Sequence, residues 1–299
     1  LPKDHYEQDT TNPLDDLKAK YALMLENSKA NLNPVTGWPL DVACDGMTFT
    51  AIYDLAGGGS DVYLAEDPNA PGKYYRDAEH QCGIAPDTAP TTQSQDAFIT
   101  VATKLWAERN TKRVDDIVNY INANDRYTGD PHIDQARMTT PVLNTYTIMQ
   151  ALLKDETPQT PVENPDPNLS GQQVTSIIDG FHAHLLVWHI YDRGVIYGAI
   201  NDLEYHLLKE QAERQPRNTL YSAVYNKFTH GDQSEGIAQL LDESRFPSDK
   251  ACSTDERCVP YLWSTDDAPG DWAACPQEHK TYTCIDWLIA AKIILGDVK

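Results

Sequence analysis

Apolar residues recur at helical spacing over most of this chain, and that periodicity limits what it can fold into more than any other feature. Phe98, Val101, Ala102, Leu105 and Trp106 fall at i, i+3, i+4, i+7 and i+8, and Val114, Ile117, Val118 and Ile121 repeat the pattern soon after. Leu14, Leu17, Tyr21 and Leu25 make another stripe. Each stripe describes an amphipathic helix that must bury one face against another element. Further helices are expected from about Met47 to Leu55, Val142 to Leu153, Val174 to Asp192, Ile196 to Ala212, Thr219 to Phe228, Gly236 to Leu241 and Ile285 to Leu295. Strand signals are confined to short Thr-rich runs such as Arg137 to Pro141. The expected fold class is all-α.

The breaks between stripes say how the helices connect. Asn110-Thr111 leaves almost no loop between two of them, which makes an αα-hairpin. Gly194 separates another pair, and Gly57-Gly58-Gly59 stops the Met47 helix. Thr157 to Ser170 holds four prolines and no periodicity, so 157–170 reads as a surface loop within one domain spanning 1–299. From 246 to 282 the chain is irregular, and four of the six cysteines lie in that segment or just past it. Hairpin following hairpin, with long and short loops alternating, describes a curved array of antiparallel αα-hairpins. Closed on itself, complete or incomplete, such an array is an α/α toroid.

Charge and cysteine content narrow the function classes. Lys+Arg number 24 against Asp+Glu 45, a formal net charge of -21, and a surface this acidic repels nucleic-acid phosphates. No run approaches the roughly 18 apolar residues of a membrane span, so no integral membrane association is expected. Cys44, Cys82, Cys252, Cys258, Cys275 and Cys284 make an even set, which fits an oxidising, extracytoplasmic compartment (periplasmic or secreted). Six thiols allow 15 pairings. Nearness in sequence favours Cys44–Cys82, Cys252–Cys258 and Cys275–Cys284, each clipping a loop beside a helix. Zinc is the rival use, but the chain has no C-x2-C pair. Any export signal lies outside this sequence.

Chemistry-bearing side chains concentrate between Trp38 and Asp96, in GWPLDVACDG, YLAEDPNAPGKYYRD and SQD. With the hairpin pattern, these segments resemble the α/α-toroid enzymes that act on polysaccharides, both glycoside hydrolases and polysaccharide lyases. The resemblance implies carboxylates at helix starts and in connecting loops at one end of the toroid, with aromatic rings there to stack on sugars. On that basis Asp45, Glu66 and Asp96 are the candidate catalytic carboxylates, since glycoside hydrolysis uses two such groups. Helix capping is the competing explanation for Asp45 and Asp96, because acids are favoured in a first turn. Glu66 is the candidate proton donor, and Asp67 is expected to be a solvated Asp-Pro turn. Trp38, Tyr74 and Tyr75 are candidate sugar platforms, and Arg76 is expected either to pair with Asp77 or to hold a substrate carboxylate. Tyr53, inside an apolar helix, is expected in the core.

Two other classes stay open. A polysaccharide lyase needs a base, often His or Tyr, for which His182, His184, His189 and His206 are candidates, with Arg193 or Asn201 as neutraliser. No histidine pair sits at i, i+4, so no metal is assigned to them. Ca2+ at Asp266, Asp267 and Asp271 is the one cofactor left open, although their spacing is not that of an EF-hand. A non-catalytic exported module that binds a glycan or a protein shares the same aromatics and acidic surface. The expected partner of the hydrolase is an extracellular polysaccharide.

Overall fold

A computed structural model of the chain describes residues 12–39, 46–80, 95–129, 137–138, 140–157, 209, 212–213, 219–244, 246, 248 and 285–296. The described part is helical, without a strand. Its helices are α1 (Pro13–Ser28), α2 (Gly46–Leu55), α3 (Gln95–Ala107), α4 (Thr111–Ala123), α5 (Thr140–Leu153), α6 (Thr219–Thr229), α7 (Ser234–Leu241) and α8 (Ile285–Leu295). Extended pairing is limited to single bridges, Leu32 with Pro39, Glu66 with Tyr74 and Tyr127 with Arg137. Among the described residues of the Thr-rich run at 137–141, only Arg137 pairs in this way, and α5 already starts at Thr140. The expected helix at 174–192, that at 196–212 apart from Lys209 and Ala212, the loop at 157–170 beyond Thr157, most of 246–282 and all six cysteines lie outside the described residues. No helix among the described residues is long and apolar enough to cross a membrane.

Local signals set the helix ends. Asn12 caps α1, its side chain accepting from the Leu14 N–H at 3.2 Å, with Pro13 at the first helical position. Asn110 caps α4 by accepting from the Arg113 N–H, and Arg109, at φ 54, makes the tight reversal from α3. Gly57 (φ 99) and Gly59 (φ 77) take the left-handed backbone that ends α2.

The stripes of α3 and α4 are buried as expected. That of α1 is rotated: the buried residues are Leu17, Lys20, Met24 and Ser28, while Leu14 is 38% exposed. Lys20 earns its place on the inner face by an ion pair to Glu243 at 2.9 Å, with its ammonium 5.8 Å from the centre of the Trp287 ring.

The buried side chains form two clusters that meet at α2. One gathers α1, α6, α7 and α8 around Phe49, Ile52, Tyr53 and Ala56 of α2 and its end. The other gathers α3, α4 and α5 with Trp38, Val62, Ala65 and Tyr74 around Met47 and Ala51. A helix apolar on all sides belongs at the centre of its neighbours, and α2 is buried almost throughout. Tyr53 is fully buried, as its sequence position implies, and hydrogen-bonds Ser28 at 2.9 Å.

Candidate active site

Two segments far apart in sequence converge on the first turn of α2. The Met47 N–H, which no intrahelical carbonyl can serve, donates to the Arg76 carbonyl at 3.1 Å. The ring of Trp38 lies against Gly46, so close that a Cβ on Gly46 would come 3.2 Å from it. Trp38 is itself fixed from the next loop: its Nε1 donates to the Asp61 carbonyl at 2.8 Å, and the Ser60 hydroxyl donates to the Gly37 carbonyl at 2.5 Å. GWP, the start of α2 and the end of KYYR are therefore one structural unit. Asp45 itself lies outside the described residues, and of Asp96 only the backbone, in the first turn of α3, is described.

Between these anchors, residues 61–80 form a hairpin laid on α4. Asp61 starts a short 3-10 turn (Val62–Ala65), its carboxylate accepting from the Tyr63 N–H at 2.9 Å. The Tyr75 N–H donates to the Ala65 carbonyl and the Asp67 N–H to the Lys73 carbonyl, both at 2.8 Å. At the tip Gly72, at φ 87, sits against the α4 backbone, and a Cβ there would overlap the Asp116 carbonyl and come 2.7 Å from the Ile117 nitrogen.

Glu66 differs from its expected role as a free proton donor. One carboxylate oxygen accepts from the Gly72 N–H at 3.1 Å and the other is ion-paired with Arg113. With both oxygens engaged, it anchors the hairpin to α4. Trp38 (4% exposed) and Tyr74 (fully buried) present no face to solvent, so neither is a sugar platform as it stands. A large ring beside a loop contributes most by burying its area, provided its polar atom finds a partner. Trp38 finds Asp61, and the Tyr74 hydroxyl accepts from Arg113 at 3.3 Å. Tyr75 is half-buried, with His80 stacked on it at 4.1 Å and its hydroxyl donating to Asp67 at 2.9 Å. Asp67 is the turn residue expected but not a solvated one: its side chain is 14% exposed, accepting from the Asn69 N–H and paired with Lys73. Burial opposes its charge, but these hydrogen bonds outweigh it and hold the carboxyl below its ordinary range.

No known protein family matches the chain, nor does any curated protein or solved structure.

A linked set of charges not singled out by the sequence extends from Glu66. The Arg113 guanidinium lies 3.9 Å from the centre of the Tyr63 ring. The Tyr63 hydroxyl donates to Glu108 at 2.5 Å, and Lys104 bonds both Glu108 and Asp54. Burial, reinforced by Glu108, pushes the Tyr63 phenol far above its usual range. Burial works against the charge of Glu108, yet the bonds from Lys104 and Tyr63 win and lower its pKa. The i, i+4 spacing of Lys104 and Glu108 was the one sequence signal for this set. Among the described residues no group of three or more His, Cys, Asp or Glu side chains is arranged to hold a metal ion. The histidines at 182, 184, 189 and 206 and the aspartates at 266, 267 and 271 lie outside the described residues.

Proposed function

We propose that this chain is an extracytoplasmic carbohydrate-active enzyme that hydrolyses glycosidic bonds of a polysaccharide, with Asp45 and Asp96 as its carboxylate pair. The helices would be hairpins of a toroid-like array, with loops clipped by disulfides pairing Cys44–Cys82, Cys252–Cys258 and Cys275–Cys284. One observation carries the reading: Trp38 and the Arg76 carbonyl both close on Gly46 and Met47, which immediately follow Asp45. A rigid helix start with its surroundings fixed is the kind of scaffold that holds a reacting carboxylate in place. Arg76, at the same point, is the candidate partner for a substrate carboxylate. Glu66 leaves the reacting set, because both its oxygens are engaged elsewhere.

The test is a panel of bacterial and algal glycans incubated with the wild type, Asp45→Asn and Asp96→Asn. Loss of a general acid or base costs about 10²- to 10⁴-fold in rate. Cleavage by the wild type with full activity in both variants overturns the assignment, and no cleavage of any glycan overturns the hydrolase reading. Peptide mapping without reduction checks the three disulfides.

The engagement of both Glu66 oxygens, which takes one carboxylate out of the reacting set, favours a second reading, a non-catalytic module that binds a glycan or a protein. It predicts retention on an immobilised glycan without any release of reducing ends.

A further inference from the structure

Arg113 grips both sides of the hairpin that ends at the start of α2. On the outgoing side it pairs with Glu66 and covers the Tyr63 ring at 3.9 Å. On the returning side it donates to the Tyr74 hydroxyl at 3.3 Å. Glu66 and Tyr74 are also bridged to each other through the backbone. Two residues past Tyr74, the Arg76 carbonyl receives the Met47 N–H. Fixing Glu66 and Tyr74 against α4 thus fixes the register in which Arg76 reaches α2.

We propose that Arg113 is a positioning residue for the site at the start of α2, acting through the 61–80 hairpin. The proposal rests on the reading of that helix start as the reacting site. Its geometry is separate from that reading, because the Met47 amide reports the seating of the hairpin whether or not a glycan is cleaved. Met47 lies in the first turn of its helix, so the bond to Arg76 is what shields its N–H. Other bonds close the hairpin on itself, but Arg113 ties both of its sides to α4: without it Glu66 keeps the Gly72 N–H, and the buried Tyr74 hydroxyl loses this donor.

The experiment is native-state hydrogen exchange by NMR on the full chain, comparing wild type, Arg113→Ala, Arg113→Lys and Lys112→Ala. Ile117, buried in α4, reports global opening. In Arg113→Ala the Met47 and Tyr75 amides are expected to exchange about 10- to 100-fold faster than in wild type, beyond any change at Ile117. Arg113→Lys restores the ion pair to Glu66 and recovers part of that protection. Lys112→Ala, at an exposed neighbour, leaves both amides unchanged. Equal acceleration at Met47, Tyr75 and Ile117, or none at Met47, overturns the proposal, as does a lysine variant as loose as the alanine one. With a cleaved glycan in hand, kcat falls about tenfold in Arg113→Ala while KM stays within about twofold. Unchanged kcat in a variant whose Met47 amide is released also overturns the positioning role. If no glycan is cleaved, the hydrolase reading fails by itself and the exchange data still decide the latch.

Discussion

Replacing Gly72 by alanine tests the seating of the hairpin on α4 most directly. Gly72 has φ 87, a region that costs a residue with a Cβ about 1–2 kcal/mol. The same Cβ would overlap the Asp116 carbonyl and lie 2.7 Å from the Ile117 nitrogen, against a helix backbone that cannot rotate aside. Forcing an atom into packed surroundings costs a further 1–3 kcal/mol, roughly. The expected destabilisation of Gly72→Ala is therefore about 2–5 kcal/mol. Gly59 provides the control: its φ is 77, and nothing lies within 4 Å of a Cβ there. Gly59→Ala carries only the backbone cost, about 1–2 kcal/mol. Urea unfolding of both variants, followed by far-UV circular dichroism, gives the two free energies on one scale. The difference between them isolates the clash. If Gly72→Ala loses no more stability than Gly59→Ala, the hairpin does not rest on α4 as described.

Stability should fall as pH drops through the carboxylate range: burial opposes the charges of Asp67, Glu108, Asp115 and Glu243, but their hydrogen bonds and lysine partners outweigh it and hold all four below the ordinary carboxylate range. Their contribution is full above the unfolded values and lost as pH falls through the lower folded ones, which urea midpoints between pH 6 and about pH 2 would register. Burial works against the charge of Lys104, but Asp54 and Glu108 together outweigh it and raise its pKa, so its contribution is complete below pH 10.5 and fades above it. At the buried Lys20, whose side chain is 5% exposed, Lys20→Met should change stability by less than about 1 kcal/mol, whereas Glu243→Gln should cost about 1–2 kcal/mol by leaving the ammonium inside. Equal losses in the two variants, measured in urea, would contradict that asymmetry. Tyr146→Phe removes a buried hydroxyl that donates to the Phe98 carbonyl at 2.6 Å and should cost about 1–2 kcal/mol; a neutral result would mean that the bond is not made in solution.

What the sequence reveals, and where it misleads, follows from the range of the interactions involved. The faces of α3 and α4 are legible because each stripe is continuous and every member is apolar. The face of α1 is not, because Lys20 turns inward for partners more than two hundred residues away, Glu243 and Trp287. The turn at Asp67 and the core position of Tyr53 are local properties and come out as read, but Lys73 and Tyr75 take the Asp67 carboxylate out of the solvent expected around it. Glu66, Trp38 and Tyr74 look like site residues by type and neighbourhood. Glu66 and Tyr74 are held by Arg113, 47 and 39 positions further on, and Trp38 by Asp61, 23 positions further on, contacts that no local pattern announces. Tyr63 and Glu108 escape notice for the same reason: their contact spans 45 positions.

The double allegiance of α2 bears on how the chain can be divided. Phe49, Ile52 and Tyr53 face one cluster while Met47 and Ala51 face the other, within a helix of 10 residues. A fragment covering 95–153 would lack the wall against which α3 packs, and one holding α1, α6, α7 and α8 without α2 would have a hole where three large side chains belong. Neither half has a boundary at which it could be cut free, and loosening the wall from one side is felt on the other.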